Sequence, residues 1–209
     1  MRIYFVRHGE SVHNAGNIHQ PLDIELSERG LKQAEFVAKR FQDIDFDVIV
    51  SSDLMRAKQT AETIQQVTGK ELVFTELARE RYQPSVFHGK RIDDPSLQDI
   101  KATIEQNIRD PHYRHSDEEN FFDLKKRAKQ LLEFLEARTE KNLVVVLHGT
   151  ILRYLLVTMA YGDTYDWDTF IGFAMFVHLD NTGITVCEQR HDRWKLITWN
   201  DHAHLGEVD

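Results

Sequence analysis

The sequence predicts an α/β fold of three layers, α/β/α, in which a mostly parallel central sheet is covered by helices on both faces. Two observations carry this expectation. Short apolar runs alternate with longer amphipathic stretches along most of the chain, and two of the runs end alike, in Val6-Arg7-His8-Gly9 and Leu147-His148-Gly149. A length of 209 residues suits a single domain with a sizeable core.

Residues 3–6 are the first expected strand. Ser27 is placed to cap a helix with Leu31, Ala34, Ala38 and Phe41 on one face. Residues 47–50 form a second buried strand ended by Ser51-Ser52. Asp53 then reads as the N-cap of a helix that turns Ala57, Ala61, Ile64 and Val67 inward, and Gly69 closes it. Residues 71–75 read as a third strand. From residue 81 to 120 the pattern breaks, with Pro84, Pro95, Pro111 and one short helical segment near 97–108. This stretch reads as an insertion, a cap lying over a site within the single domain 1–209. Ser116-Asp117-Glu118-Glu119 has the spacing of a capping box, ahead of a helix carrying Phe121, Leu124, Ala128, Leu131 and Leu135. Residues 143–147 form an apolar strand, followed by a helix through Met159. Residues 173–179, 183–189 and 194–199 are expected to finish the sheet, the first two joined by a turn at Asp180-Asn181-Thr182-Gly183.

Composition removes several function classes. The 34 acidic and 26 basic residues leave a net charge of −8, which argues against a general nucleic-acid binder. Trp194 and Trp199, five apart, cannot share a face of a regular strand, so no aromatic platform for bases is expected. No segment reaches the roughly 18 apolar residues of a membrane span, and the first apolar run is too short for a signal peptide. A cytoplasmic protein that needs no membrane follows as the expectation. Cys187, the one cysteine, excludes a disulfide framework or a thiolate zinc site and reads as a small buried hydrophobe.

The carboxyl ends of parallel strands and the free N–H groups of helix N-termini are where such folds bind ligands. Arg7 and His8 lie at one strand end, His148 at another, and Arg56 on the first turn of the helix after Ser51-Ser52. Two arginine forks match phosphate oxygens, and a neutral imidazole among them can attack phosphorus. No HExxH or GxxxxGK[ST] motif occurs, so neither a metal nor a cofactor is called for. His112-Tyr113-Arg114-His115 and Asp201-His202-Ala203-His204 lack the spacing of metal ligands and read as surface histidines. Lys90, Arg91, Arg109 and Arg114 read equally as grips for a second anionic group or as ordinary surface charge.

Val6-Arg7-His8-Gly9-Glu10-Ser11-x-x-Asn14 resembles the signature of the histidine phosphatase superfamily, whose fold is phosphoglycerate-mutase-like. Leu26-Ser27-x-x-Gly30-x-x-Gln33-Ala34, Ser51-Ser52-Asp53-Leu54-x-Arg56-Ala57 and Val144-Val145-Val146-Leu147-His148-Gly149 follow in that family's order and span nearly the whole chain. The resemblance implies that His8 is the nucleophile and Arg7 its phosphate-binding partner. It implies that Arg56, His148, Asn14 and the Gly149 region hold the phosphoryl group, and that Glu80, rather than Glu76, is the proton donor. Gln20-Pro21 and the run Gln83 to Lys90 depart from the family's usual Gln-Gly and Gly-x-Trp-Glu-Gly. The arginine pair of the glycolytic mutases is absent from the insertion. The resemblance therefore implies a metal-independent phosphomonoester hydrolase acting on a small phosphorylated substrate, as a monomer or homodimer. A cofactor-dependent mutase, a protein phosphatase and a non-catalytic phosphate binder are the alternatives.

Overall fold

Strands with apolar side chains on both faces build the centre of the sheet in the computed structural model, which describes residues 1–21, 23–191 and 193–206. Strands β1 (Arg2–Arg7), β2 (Val48–Ser52), β3 (Glu71–Thr75) and β4 (Asn142–Leu147) run parallel in the order β3-β2-β4-β1. On β1, Ile3 and Phe5 enter one core while Tyr4 and Val6 face the other. On β4, Leu143, Val145 and Leu147 enter the first, Val144 and Val146 the second. Such two-faced apolar strands are what a sheet buried on both sides requires. Antiparallel strands β5 (Ile184–Arg190) and β6 (Arg193–Asp201) extend the sheet beyond β1, so it is mostly parallel, as expected.

One turn of helix, α1 (Val12–Ala15), follows β1. Helices α2 (Glu28–Phe41) and α3 (Met55–Thr68) cover one face. Residues 81–120 contain two short 3₁₀ turns and helix α4 (Gln98–Gln106). Helices α5 (Phe121–Glu136), α6 (Gly149–Tyr161) and α7 (Trp167–Phe176) cover the opposite face. Neighbouring strands β1 and β4 thus send their following long helices to opposite faces. That arrangement opens a crevice at their carboxyl ends.

Several local expectations are corrected. Residues 173–179 are not a strand: Asp166 caps α7 by accepting from the Thr169 N–H, and the helix runs to Phe176. β6 already occupies the far edge of β5, so the apolar run has no strand to pair with and packs Phe170 and Phe173 on the core instead. Leu31 and Val67 point outward, because α2 buries Gly30, Gln33 and Val37 beside Ala34, Ala38 and Phe41, while Ala57, Ala61 and Ile64 suffice for α3. Asp53 does not cap α3. Leu54 holds that position, and Asp53 accepts from Nε and Nη2 of Arg79. The capping box lies four residues beyond Ser116: Asn120 caps α5 reciprocally with Asp123, and buried Glu118 accepts the His115 and Ser116 N–H groups. Trp194 and Trp199 do share a core, since β6 carries an extra residue where Val186 pairs Thr198 and Cys187 pairs Leu196. Cys187 is buried, and burial pushes its thiol up to about 12.

Candidate active site

The β1–β4 register aligns Arg7 with Leu147, so His8 and His148 emerge side by side at the end of the sheet. Their ring centroids are 4.9 Å apart and both side chains are buried. The loop carrying His8 is held closely. The His8 carbonyl accepts from Asn181 Nδ2 at 2.8 Å, and the Gly9 N–H donates to Thr60 Oγ1 at 3.1 Å. Glycine is required where this loop meets α2, because a Cβ on Gly30 would lie 1.9 Å from the Glu10 carbonyl oxygen. Gln33 Oε1 accepts the Glu10 N–H at 2.8 Å, and Ser27 Oγ donates to the Glu10 carboxylate at 2.7 Å. The Ser-x-x-Gly-x-x-Gln spacing is therefore the clamp on the loop that bears His8.

His8 Nδ1 lies 2.6 Å from the Gly9 carbonyl oxygen. A carbonyl only accepts, so Nδ1 carries the proton and Nε2 keeps its lone pair. Burial, together with the charges of Arg56 and Arg7, holds this imidazole well below its ordinary pKa and therefore neutral. His148 is depressed for the same first reason, then by Arg56. Its Nε2 lies 2.9 Å from Ser52 Oγ, which also accepts the Leu54 N–H at 3.3 Å, while its Nδ1 is buried without a partner among the described residues. With the Ser52 hydroxyl giving its hydrogen to Nε2, Nδ1–H is left as a donor with no partner among the described residues.

Arg7 Nη1 donates to the Leu179 carbonyl at 2.5 Å. Arg56 is almost wholly buried, and burial lowers its guanidinium to about 10, which still leaves it cationic at neutral pH. Both line a cavity of about 220 Å³ together with His8, Asn14, Glu80 and Thr150. Glu80 is fixed by two backbone donors, Arg81 N–H to Oε1 at 2.8 Å and Thr150 N–H to Oε2 at 3.1 Å. Glu76 lies elsewhere, exposed and paired with Arg79. Asn14 lines the cavity with its Oδ1 accepting the Ser11 N–H, so only its amide nitrogen remains to meet a ligand. Gly149 begins α6 where a Cβ would approach Arg153 Nη1 at 3.3 Å and Arg7 Nε at 3.7 Å.

The structure brings Arg7, His8, Asn14, Arg56 and Glu80 around one cavity, with His148 against His8 and Gly149 against Arg7. It does not bring Lys90, Arg91, Arg109 or Arg114 there. Arg91 pairs with Asp93, Arg109 with Asp168 and Arg114 with Asp123, while Lys90 donates to Ser96 Oγ. Sequence reasoning missed Ser52, Thr150 and Arg153, and the rim residues His13, His19, Arg81 and His88. Thr150 was legible only as the residue after His148-Gly149; the rim residues come from loops with no periodicity. No cluster of three metal-capable side chains exists among the described residues.

The histidine phosphatase superfamily (branch 1) matches residues 3–202. The chain belongs to this family. A metal-independent phosphoserine phosphatase of Arabidopsis thaliana is 29% identical over 216 residues, covering 99% of this chain and 84% of that protein. A phosphoserine phosphatase of Entamoeba histolytica, solved as a mutant in complex with phosphoserine, superposes with a TM-score of 0.77 at 28% identity over 98% of both chains. Bacillus stearothermophilus YhfR has the same fold, with a TM-score of 0.83 at 24% identity over 98% of each chain. As a histidine phosphatase, the chain is a phosphomonoester hydrolase.

Proposed function

We propose that this histidine phosphatase cleaves a small phosphorylated metabolite through a phosphohistidine on His8, without a metal. The observation that carries the proposal is the hydrogen bond from His8 Nδ1 to its neighbour's carbonyl, which leaves Nε2 unprotonated in a cavity walled by Arg7 and Arg56. In the first step Nε2 attacks phosphorus, the ester P–O bond breaks, and Glu80 in its acid form gives a proton to the leaving oxygen. Arg7, Arg56, the Asn14 amide and His148 Nδ1–H meet the phosphoryl oxygens as charge spreads over them. In the second step water attacks phosphorus, Glu80 takes its proton, the N–P bond breaks, and phosphate leaves with the His8 lone pair restored. Gly149 lets Arg7 and Arg153 approach the N-terminus of α6, whose dipole also favours an anion.

Residues 81–120 act as a cap within one domain, since Arg81, Tyr82, Gln83, His88 and Ile92 complete the cavity wall. A volume near 220 Å³ accommodates a small ester rather than a folded phosphoprotein surface. The named substrate of the plant and amoebal relatives, phosphoserine, is of that size. The test is phosphate release from small phosphomonoesters in excess chelator. Wild-type turnover that disappears in His8→Ala supports the reading, and turnover that needs added metal or survives in His8→Ala overturns it.

A further inference from the structure

The backbone around His8 is held from across the sheet as well as from α2. A tight turn between α7 and β5, in which the Gly183 N–H donates to the Asp180 carbonyl at 3.1 Å, lies against the end of β1. It meets that end at three points. The Gly183 carbonyl accepts the Arg7 N–H at 3.4 Å, the Thr182 N–H donates to the Arg7 carbonyl at 2.9 Å, and Asn181 Nδ2 donates to the His8 carbonyl at 2.8 Å. The first two sit beside the last rung of the β1–β5 ladder, at Val6 and Ile184. The third reaches past the ladder to the peptide group that joins His8 to Gly9.

That peptide decides where the His8 ring can lodge. Its carbonyl is held by Asn181 and its N–H by Thr60 Oγ1, so both sides of one peptide plane are pinned. The oxygen that accepts His8 Nδ1–H belongs to the next carbonyl, that of Gly9, and the bond lasts only while the plane before it keeps its orientation. Rotating the His8–Gly9 peptide swings the Gly9 carbonyl away from Nδ1. The ring is then free to exchange its Nδ1–H form for the Nε2–H form, in which the lone pair that attacks phosphorus is lost.

The turn adopts a conformation that its own residues disfavour. Thr182 is fully buried and β-branched, and its φ of 59° lies in the left-handed region. Contacts from the segment after β5 hold it there. The Thr182 hydroxyl gives its hydrogen to the Asn181 carbonyl at 2.7 Å, so its oxygen accepts from His204 Nε2 at 3.1 Å, on the 3₁₀ turn Ala203–Leu205. Asn200, near the end of β6, grips the first residue of the turn twice. Its Oδ1 accepts the Asp180 N–H at 2.9 Å, and its Nδ2 donates to the Asp180 carboxylate at 2.6 Å.

We infer that Asn181 is a positioning residue for the nucleophile: its amide fixes the His8–Gly9 peptide so that the His8 ring stays in its reactive tautomer. Thr182, His204 and Asn200 hold the turn that aims this amide. The inference rests on His8 being the nucleophile, as proposed above.

The experiment joins steady-state kinetics of the full chain on phenyl phosphate to nitrogen-15 NMR of its histidine rings, with His8 identified by the signals lost in His8→Ala. In Asn181→Ala, kcat and kcat/KM should fall together by roughly 10- to 100-fold while KM changes little, because Arg7 and Arg56 still grip the phosphoryl group. The His8 ring signals should move from the Nδ1–H pattern of wild type to a mixture of tautomers. Thr182 supplies a second test that stands even if Asn181→Ala does not fold. Glycine takes the left-handed conformation freely and valine does not, so Thr182→Gly should keep a higher kcat than Thr182→Val, although valine is the closer match in shape. His204→Phe should correspondingly cost less kcat in the Thr182→Gly background than in wild type. Wild-type kcat in Asn181→Ala, a loss carried by KM alone, an unchanged His8 tautomer, or Thr182→Val at least as active as Thr182→Gly would overturn the inference. His8→Ala separates the two readings. Activity retained there removes the nucleophile assignment itself, whereas an inactive His8→Ala beside a fully active Asn181→Ala removes only the positioning role.

Discussion

Glu80 has the most exposed assignment at the scale of single residues, because a glutamate between Arg79 and Arg81 also reads as solvated charge in the sequence. The two backbone donors that fix its carboxylate, and its place in the lining of the cavity that also holds His8, distinguish it from Glu76. Glu80→Gln keeps the shape and one acceptor but can neither give nor take a proton. Its kcat should fall by about 10²–10⁴ for alkyl esters and less for the first turnover of p-nitrophenyl phosphate, whose leaving group needs no acid. With that ester a burst of nitrophenol followed by slow turnover is expected in rapid-mixing measurements; a uniform loss with no burst would point to a purely structural role. His8, Arg7, Arg56 and His148 were legible because the residue types and strand-end positions already imply phosphate chemistry. The parts played by Asn181 and His204 were not, because a turn residue and a histidine after β6 are joined to the His8 loop only once β5 and β6 lie beside β1.

Among the elements, α5 does more than cover the sheet. Its Arg127 donates to the carbonyls of Leu77 and Arg79 at 3.1 and 2.6 Å and of Glu80 at 3.3 Å, and it pairs with Glu119 at 2.7 Å. Glu119 in turn accepts the Tyr82 N–H at 2.9 Å. One side chain thus ties the Glu80 loop, the start of the cap and the helix together. Removing it strands several carbonyls and a part-buried carboxylate. Arg127→Ala should cost about 2–4 kcal/mol in thermal or denaturant unfolding and lower kcat as the Glu80 loop loosens. Unchanged stability would show that this network carries little. Helical period placed α2, α3 and α5 correctly in the sequence, yet the inward faces of α2 and α3 were displaced at Leu31 and Val67, since amphipathic helices show the stripe but not its edges. Residues 173–179 failed for a different reason. A short apolar run bounded by turn residues suits a strand or a buried helix equally, and only the occupied edge of β5 decides.

Over the whole molecule, the site depends on holding ionisable groups in their neutral form. Burial depresses His8 and His148 well below the ordinary imidazole value and takes His204 to about 4. Above pH about 6.5 both folded and unfolded chains carry these rings neutral, and they make no difference to stability. As pH falls below that value the unfolded chain binds protons first, so the fold loses stability, through His204 down to about pH 4. The midpoint of thermal unfolding should therefore drop already between pH 7 and pH 5, before the carboxylates titrate; a flat midpoint over that interval would contradict the buried neutral histidines. The α/β architecture and the convergence of β1 and β4 were readable from two strands with like endings, because parallel strands deliver their carboxyl ends to one side. The central claim is that His8 carries the phosphoryl group. The most direct measurement is peptide mass spectrometry of enzyme quenched in alkali during turnover, with Glu80→Gln used to slow hydrolysis. A phosphoryl group on the peptide bearing His8, absent in His8→Ala, is the expected result. Turnover with no phosphorylated peptide, or with the label on His148, would contradict it.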